Sequence, residues 1–208
     1  MLARPIINRA MRSLYHYVRL LFCVLLVLGG GGISSGQAQG KYMTQKGLVS
    51  FFSTSIIEDI EAHTEQAAAV LDLQTQQLAF SIPIKSFQFK RSLMQEHFNE
   101  NYMESDRFAK STFKGHILDF DASALAKGLP QRITVEGDLT IHGVTKHVTV
   151  TGGLEQQKGT LLVNAYFSVA PADYNIEIPL LVRENIAKTV GIKVAISCDP
   201  VSQLTINK

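Results

Sequence analysis

Residues 133–150 read "ITVEGDLTIHGVTKHVTV", and their period decides the fold. Ile133, Val135, Gly137, Leu139 and Ile141 share one parity, while Thr134, Glu136, Asp138, Thr140 and His142 share the other. Successive side chains of a strand point to opposite faces, so this pattern predicts a half-buried strand with one apolar face. Beyond it, Val144, Val148 and Val150 oppose Thr145, His147, Thr149 and Thr151. The spacing predicts a hairpin bent over 143–146, with Gly143 freeing the backbone and Thr145 or Lys146 tying the turn. On this reading His142 and His147 face each other across the hairpin end, both on the outward, threonine-rich face.

The same design repeats outward from the hairpin. Leu161, Val163, Ala165, Phe167 and Val169 alternate with Asn164, Tyr166 and Ser168, and Val190, Ile192, Val194 and Ile196 alternate with Gly191, Lys193, Ala195 and Ser197. Breaks fall at "AKGLPQ", "GGLEQQKGT" and "APADYN". Short strands with short turns predict an antiparallel meander that closes into a barrel or sandwich. Toward the N-terminus, "GLVSFFSTS" and "LAFSIPIKSFQF" read as strands, and "EQAAAVLDL" as a strand or a short helix. "SLMQEHFNENYM" breaks the alternation. Leu93, Met94, His97, Phe98, Asn101 and Tyr102 fall on one helical stripe, which predicts one short inserted helix near residues 92–102, with Ser92 as its N-cap.

Residues 1–38 read as an export signal and stand apart from the fold. Arg4, Arg9, Arg12 and Arg19 occur there with no acid, followed by the apolar run "LLFCVLLVLGGGG" and the small-residue stretch "ISSGQAQ". The run is far shorter than the roughly 20 residues that span a bilayer, and Gly36 and Ala38 suit cleavage after Ala38. With Met1 or Met11 as the start, the basic residues still precede the apolar core. The expectation is a periplasmic or secreted protein, not membrane-spanning after processing, whose single domain occupies residues 39–208. Cleavage removes four of the 20 Lys and Arg and none of the 18 Asp and Glu, which leaves 16 against 18 and a net charge of −2. Such a domain lacks the basic field that nucleic acid requires. One cysteine, Cys198, follows the cleavage point, so no disulfide can form within the domain and a packed core must supply the stability. The sequence leaves the oligomeric state open, a homodimer included.

Catalytic and metal chemistry find little support. His142 and His147 could share a metal across a hairpin end, but no third ligand with compatible spacing accompanies them. Asp173 beside Tyr174 and Glu96 beside His97 are adjacent in sequence, and neighbours along a strand point apart. There is no nucleophile elbow, phosphate loop or paired-cysteine motif. We therefore expect no enzyme, no cofactor and no metal. An outer-membrane barrel would turn its apolar face outward and carry aromatic girdles, whereas this chain has no Trp. A structural or stress-related barrel with a packed interior and no ligand is the remaining alternative.

The motifs themselves resemble a family. "GDLTIHGVTKHVTV", "IPIKSFQF" followed by "LMQEHFNENYM", "RFAKSTFKGHI" and "FSVAPADYNIEIP" are similar in content and order to the YceI-like polyisoprenoid-binding proteins of bacteria, over roughly residues 47–198. Prolines usual in the family are replaced here in the 109–112 region and at His147. The resemblance implies an all-β, antiparallel, eight-stranded lipocalin-like barrel. It also implies an exported, non-catalytic carrier whose interior holds an isoprenoid or similar long apolar lipid. On that reading Phe87, Phe89, Met94, Phe98, Tyr102 and Phe108 form the pocket's wall and lid, and Val135, Leu139, Ile141 and Phe167 line the barrel interior.

Overall fold

The computed structural model describes residues 40–54, 59–180 and 187–201, so the export signal read at residues 1–38 lies outside the described residues. The strands are β1 Lys41–Thr54, β2 Asp59–Asp72, β3 Gln77–Pro83, β4 Gln88–Phe89, β5 Lys110–Ile117, β6 Gln131–Ile141, β7 Val144–Gln157, β8 Thr160–Val169 and β9 Val190–Pro200. Eight of them form a closed antiparallel ring in the order β1-β9-β8-β7-β6-β5-β3-β2, because β2 returns to pair with β1. The two-residue β4 adds to the upper part of β2. This is the eight-stranded lipocalin-like barrel that the family resemblance implies, and it decides between the barrel and the sandwich that the alternation left open.

Antiparallel order sorts the connections onto two ends. The lower end carries the β2–β3 turn, the β5–β6 connection and the two-residue β7–β8 turn; the upper end carries the long β3–β5 connection, the β6–β7 turn and the β8–β9 connection. The segment "EQAAAVLDL", ambiguous between helix and strand, lies in β2 as far as Asp72. Alanine favours helices, but Ala62, Ala67 and Ala69 are fully buried here, and ring closure overrides local preference as sheet context commonly does. Ala67 and Ala69 pair with Gly47 and Thr44, where the β1–β2 register shifts.

The inserted helix is present with one change at its start. α1, Ser92–His97, runs directly into a π-helical turn, Phe98–Tyr102. Arg91 occupies the N-cap and makes no side-chain capping bond, so Ser92 is the first helical residue and does not cap. A second short helix, α2 Ala122–Ala126, was not anticipated. Its N-cap is Asp121, whose Oδ1 accepts from the backbone N–H of Ser123 at 2.8 Å and of Ala124 at 3.2 Å. Five residues are too few to display a helical period.

α2 lowers Leu125 into the bottom of the barrel. There it joins a cluster of Leu71, Leu78, Ile117, Ile133, Leu154, Leu161, Ile196 and Cys198, with Phe120 packed against it. Leu161 and Cys198 are 0% exposed, so this end is closed by side chains. Burial, reinforced by the neighbouring Asp199 charge, pushes the Cys198 thiol up to about 12.

Candidate functional site

Above that plug the barrel is hollow. A cavity of about 390 Å³ is lined from all eight strands of the ring, with Leu71, Leu78, Ile117 and Ile133 at its floor. Among the described residues, no Asp, Glu, Lys or Arg lines it. The reason lies in the period: inward positions of the ring strands are mostly apolar, with Ser53, Ser111 and Asn164 as the polar strand residues of the lining. Along β6 the lining extends from Ile133 to Ile141, a stretch whose eight residue-to-residue steps rise about 26 Å along the strand at ~3.3 Å each. The shape is that of a deep apolar tube.

The upper connections arch over this tube with aromatic and aliphatic side chains. Phe51 of β1 meets Phe87, Phe89 and Phe98 at ring-centroid distances of 5.2, 5.7 and 5.3 Å, and Phe89 meets Phe98 at 5.0 Å. Edge-on and tilted pairs of this kind add modestly to the burial of each ring. Met94 and exposed His97 of α1 also border the cavity, which brings it to the protein surface beside that helix. On the far side, Ile84, Met103, Leu139, Ile141 and Tyr174 form one buried cluster, against which Tyr102, Phe167, Val169 and Ile176 pack. Burial raises the Tyr102 phenol above its ordinary range, and burial followed by the Asp173 charge raises that of Tyr174. Both phenols stay neutral at physiological pH, so these cavity walls carry no phenolate.

Phe87, Phe89, Met94, Phe98, Tyr102, Val135, Leu139, Ile141 and Phe167 all border the cavity. Phe108 does not. It lies outside the tube against His142, at 4.4 Å between ring centroids in an edge-on arrangement, and the Arg107 guanidinium carbon lies over the Phe108 ring, 4.8 Å from its centroid, as a cation–π partner. The sequence reading passed over Phe51, Ile84, Met103, Tyr174 and Ile176. Phe51 was legible, because it shares its parity with Val49 in β1. The other four lie in irregular connections, where no period marks an inward side.

The histidine pair is corrected by the fold. β6 ends at Ile141 and β7 begins at Val144, so the bend is the two-residue turn His142-Gly143 and not 143–146. Both residues have positive φ, +51° and +74°, as the tight hairpin turns that match strand twist require. Gly143 has a second constraint, since a Cβ there would come 2.5 Å from the Phe108 ring. In the turn, His142 leaves the outward face and is buried, 8% exposed. Its Nδ1 donates to the Tyr174 carbonyl at 3.2 Å, and its Nε2 lies 3.2 Å from Glu104 Oε1. His147 is outward as expected, 3.1 Å from Asp138. The Thr140 and Thr145 hydroxyls, 2.8 Å apart, tie the first strand pair beyond the turn. The two imidazoles therefore stand in different environments, and among the described residues no group of three or more His, Cys, Asp or Glu could hold a metal.

A YceI-like domain model matches residues 40–198. The chain belongs to the YceI-like family. Solved structures agree on the fold. A polyisoprenoid-binding domain from Saccharophagus degradans, implicated in plant cell wall breakdown, superposes with a TM-score of 0.66 at 14% identity, covering 77% of this chain and 98% of that one. BcnA of Burkholderia cenocepacia gives 0.62 at 19% identity over 73% of this chain and 96% of its own. The Campylobacter jejuni YCEI protein gives 0.52 at 14% identity over 65% and 82%. No curated protein matches the sequence. At these identities the solved structures establish the shared YceI-like barrel, and the residues lining it in this chain have to be read from this chain.

Proposed function

We propose that this YceI-like chain is an exported, non-catalytic carrier that buries a polyisoprenoid, or a similarly long apolar lipid chain, in its barrel. The observation that carries the reading is the tube itself, open above a packed floor and lined, among the described residues, without an Asp, Glu, Lys or Arg. A barrel that served only as a packed scaffold would continue the side-chain packing of its lower end through the middle. Burial of apolar surface is favourable by roughly 25 cal/mol per Å², so a long tail supplies its own driving force and needs neither a cofactor nor a covalent step. The neutral Tyr102 and Tyr174 suit that environment. The polyisoprenoid-binding domain from Saccharophagus degradans, with the same fold, supports the choice of ligand class. Export rests on the basic, apolar and small-residue succession of residues 1–38.

Solvent extraction of the purified full-length protein, followed by lipid mass spectrometry, tests the reading. A long apolar lipid at near one per chain is expected. Protein free of lipid that also fails to take up added polyprenol would overturn it.

A further inference from the structure

The barrel wall is incomplete along one seam. β7 pairs with β6 along 144–154, but with β8 only from Gly152 to Gln157. β8 pairs with β9 as far as Val169. Residues 144–151 of β7 and 166–169 of β8 therefore share no ladder bond, and the seam parts above the Gly152–Ala165 pair. The cavity borders Val148 and Val150 on one side of this parting and Phe167 and Val169 on the other.

A strap crosses the top of the parting. It leaves β8 at Val169, makes a 3-10 turn, Pro171–Tyr174, and brings the Tyr174 carbonyl to His142 at the head of β7. Tyr174, 3% exposed, and Ile176 fill the space beneath it. The strap's backbone hydrogen bonds are internal: Asp173 to Ala170 at 3.0 Å, Asn175 to Ala172 at 3.3 Å and Ile176 to Pro171 at 3.1 Å. Among the described residues, the one hydrogen bond tying 170–178 to the barrel is that of His142. His142 is in turn held from behind by Glu104 and by the edge of Phe108. Beyond that bond the strap is held by the burial of Tyr174 and Ile176, and it lacks the run of ladder hydrogen bonds that ties the strands around it.

We propose that segment 170–178 is a gate over the β7–β8 seam and that His142 is its latch, so that a long apolar chain exchanges sideways through the parted strands. The inference rests on the carrier reading and adds the route. Lifting the strap withdraws Tyr174 from between β7 and β8 and converts the tube into a groove. A flexible chain can then leave broadside, without threading lengthwise past Phe51, Phe87, Phe89 and Phe98. His142 is a positioning residue here, acting on the lipid through the strap.

The test uses geranylgeraniol carrying a terminal nitrobenzoxadiazole fluorophore, with uptake and release followed by stopped-flow fluorescence. His142→Asn keeps a residue type that tolerates the left-handed backbone of the turn but is too short to bridge Tyr174 and Glu104. It should speed both uptake and release at least fivefold and leave Kd within twofold. Glu104→Gln, which weakens the latch from its exposed side, should move both rates the same way by less, and it carries the test if His142→Asn does not fold. Hydrogen exchange should quicken at the amides of Asp173, Asn175 and Ile176 and stay unchanged along the β6–β7 ladder. Rates within twofold of the parent in both variants overturn the gate and leave the carrier reading standing. Faster release with unchanged uptake also overturns it, because His142 would then only support the cavity wall. A parent protein that does not bind the probe defeats the carrier reading, and the route falls with it.

Discussion

The two ends of the barrel are made from the same eight strands and the same inward alternation, yet one is solid and the other hollow. At the lower end, α2 and the short turns press Leu125 and Phe120 onto Leu154, Leu161 and Cys198, and nothing is left between them. At the upper end the β3–β5 and β8–β9 connections are long, and their side chains join the rim: Ile84, Phe87 and Phe98 from the first, Tyr174 and Ile176 from the second. Strand periodicity decides which side chains face inward. What the connections bring to the axis decides whether inward side chains meet each other or surround a space.

The comparison breaks first on stability. Leu161→Ala, at a site with no exposure, is expected to cost about 2–5 kcal/mol because a closed core cannot collapse around the loss. Met94→Ala at the half-open rim should cost less than about 1 kcal/mol and instead weaken lipid uptake. Denaturant titration of both variants checks the ranking, and equal losses would mean that the rim is as tightly packed as the floor.

A second variant sharpens the boundary between the ends. Leu139→Phe adds volume to the upper cavity wall, where space is available, and should cost at most about 1–3 kcal/mol. Binding of a long prenyl chain should fall at least tenfold, about 1.4 kcal/mol, with a short one affected less. Equal affinities for long and short chains in a folded variant would remove Leu139 from the binding wall.

How much of this was readable beforehand follows the same division. Most ring strands were legible because period two survives in them, β2 being the one left open between strand and helix, and Val135, Leu139, Ile141 and Phe167 could be placed on the inner face by counting. The rim was legible only where a helical stripe or a clustered aromatic marked it, as for Met94 and Phe98. Ile84, Met103 and Tyr174 sit in connections whose direction is set by tertiary contact, and no local pattern announces them. His142 was misplaced for a related reason: the parity of β6 runs on through residue 142, and only the two-residue turn takes that side chain off the outward face.

That correction separates the histidines in a measurable way. His147→Ala, on the exposed pair with Asp138, should change stability by no more than about 0.5 kcal/mol. His142→Ala loses two hydrogen bonds and leaves a residue ill suited to φ +51°, so about 1–3 kcal/mol is expected. Thermal or urea unfolding of the two single variants compares them, and equal effects would return His142 to the outer surface.

The smallest signal comes from the packed end. The Cys198 thiol, raised to about 12 by burial and then by Asp199, should resist iodoacetamide in the folded protein at pH 8 and react once denatured. Its pKa lies above the unfolded value, so the protonated thiol's contribution is complete below the ordinary thiol range and is lost as pH climbs through about 12. Ready labelling in the native state would show that the floor opens.

The central claim is that the hollow end holds a long apolar chain by burial. Calorimetric titration with prenyl alcohols of increasing length, at several temperatures, addresses it most directly, because burial of apolar surface is marked by a negative heat-capacity change. Affinity should rise and the heat-capacity change become more negative with each added isoprene unit, until the chain reaches the floor at Leu71, Leu78, Ile117 and Ile133, and then level off. Absence of binding, or affinity and heat-capacity change indifferent to chain length, would contradict the account.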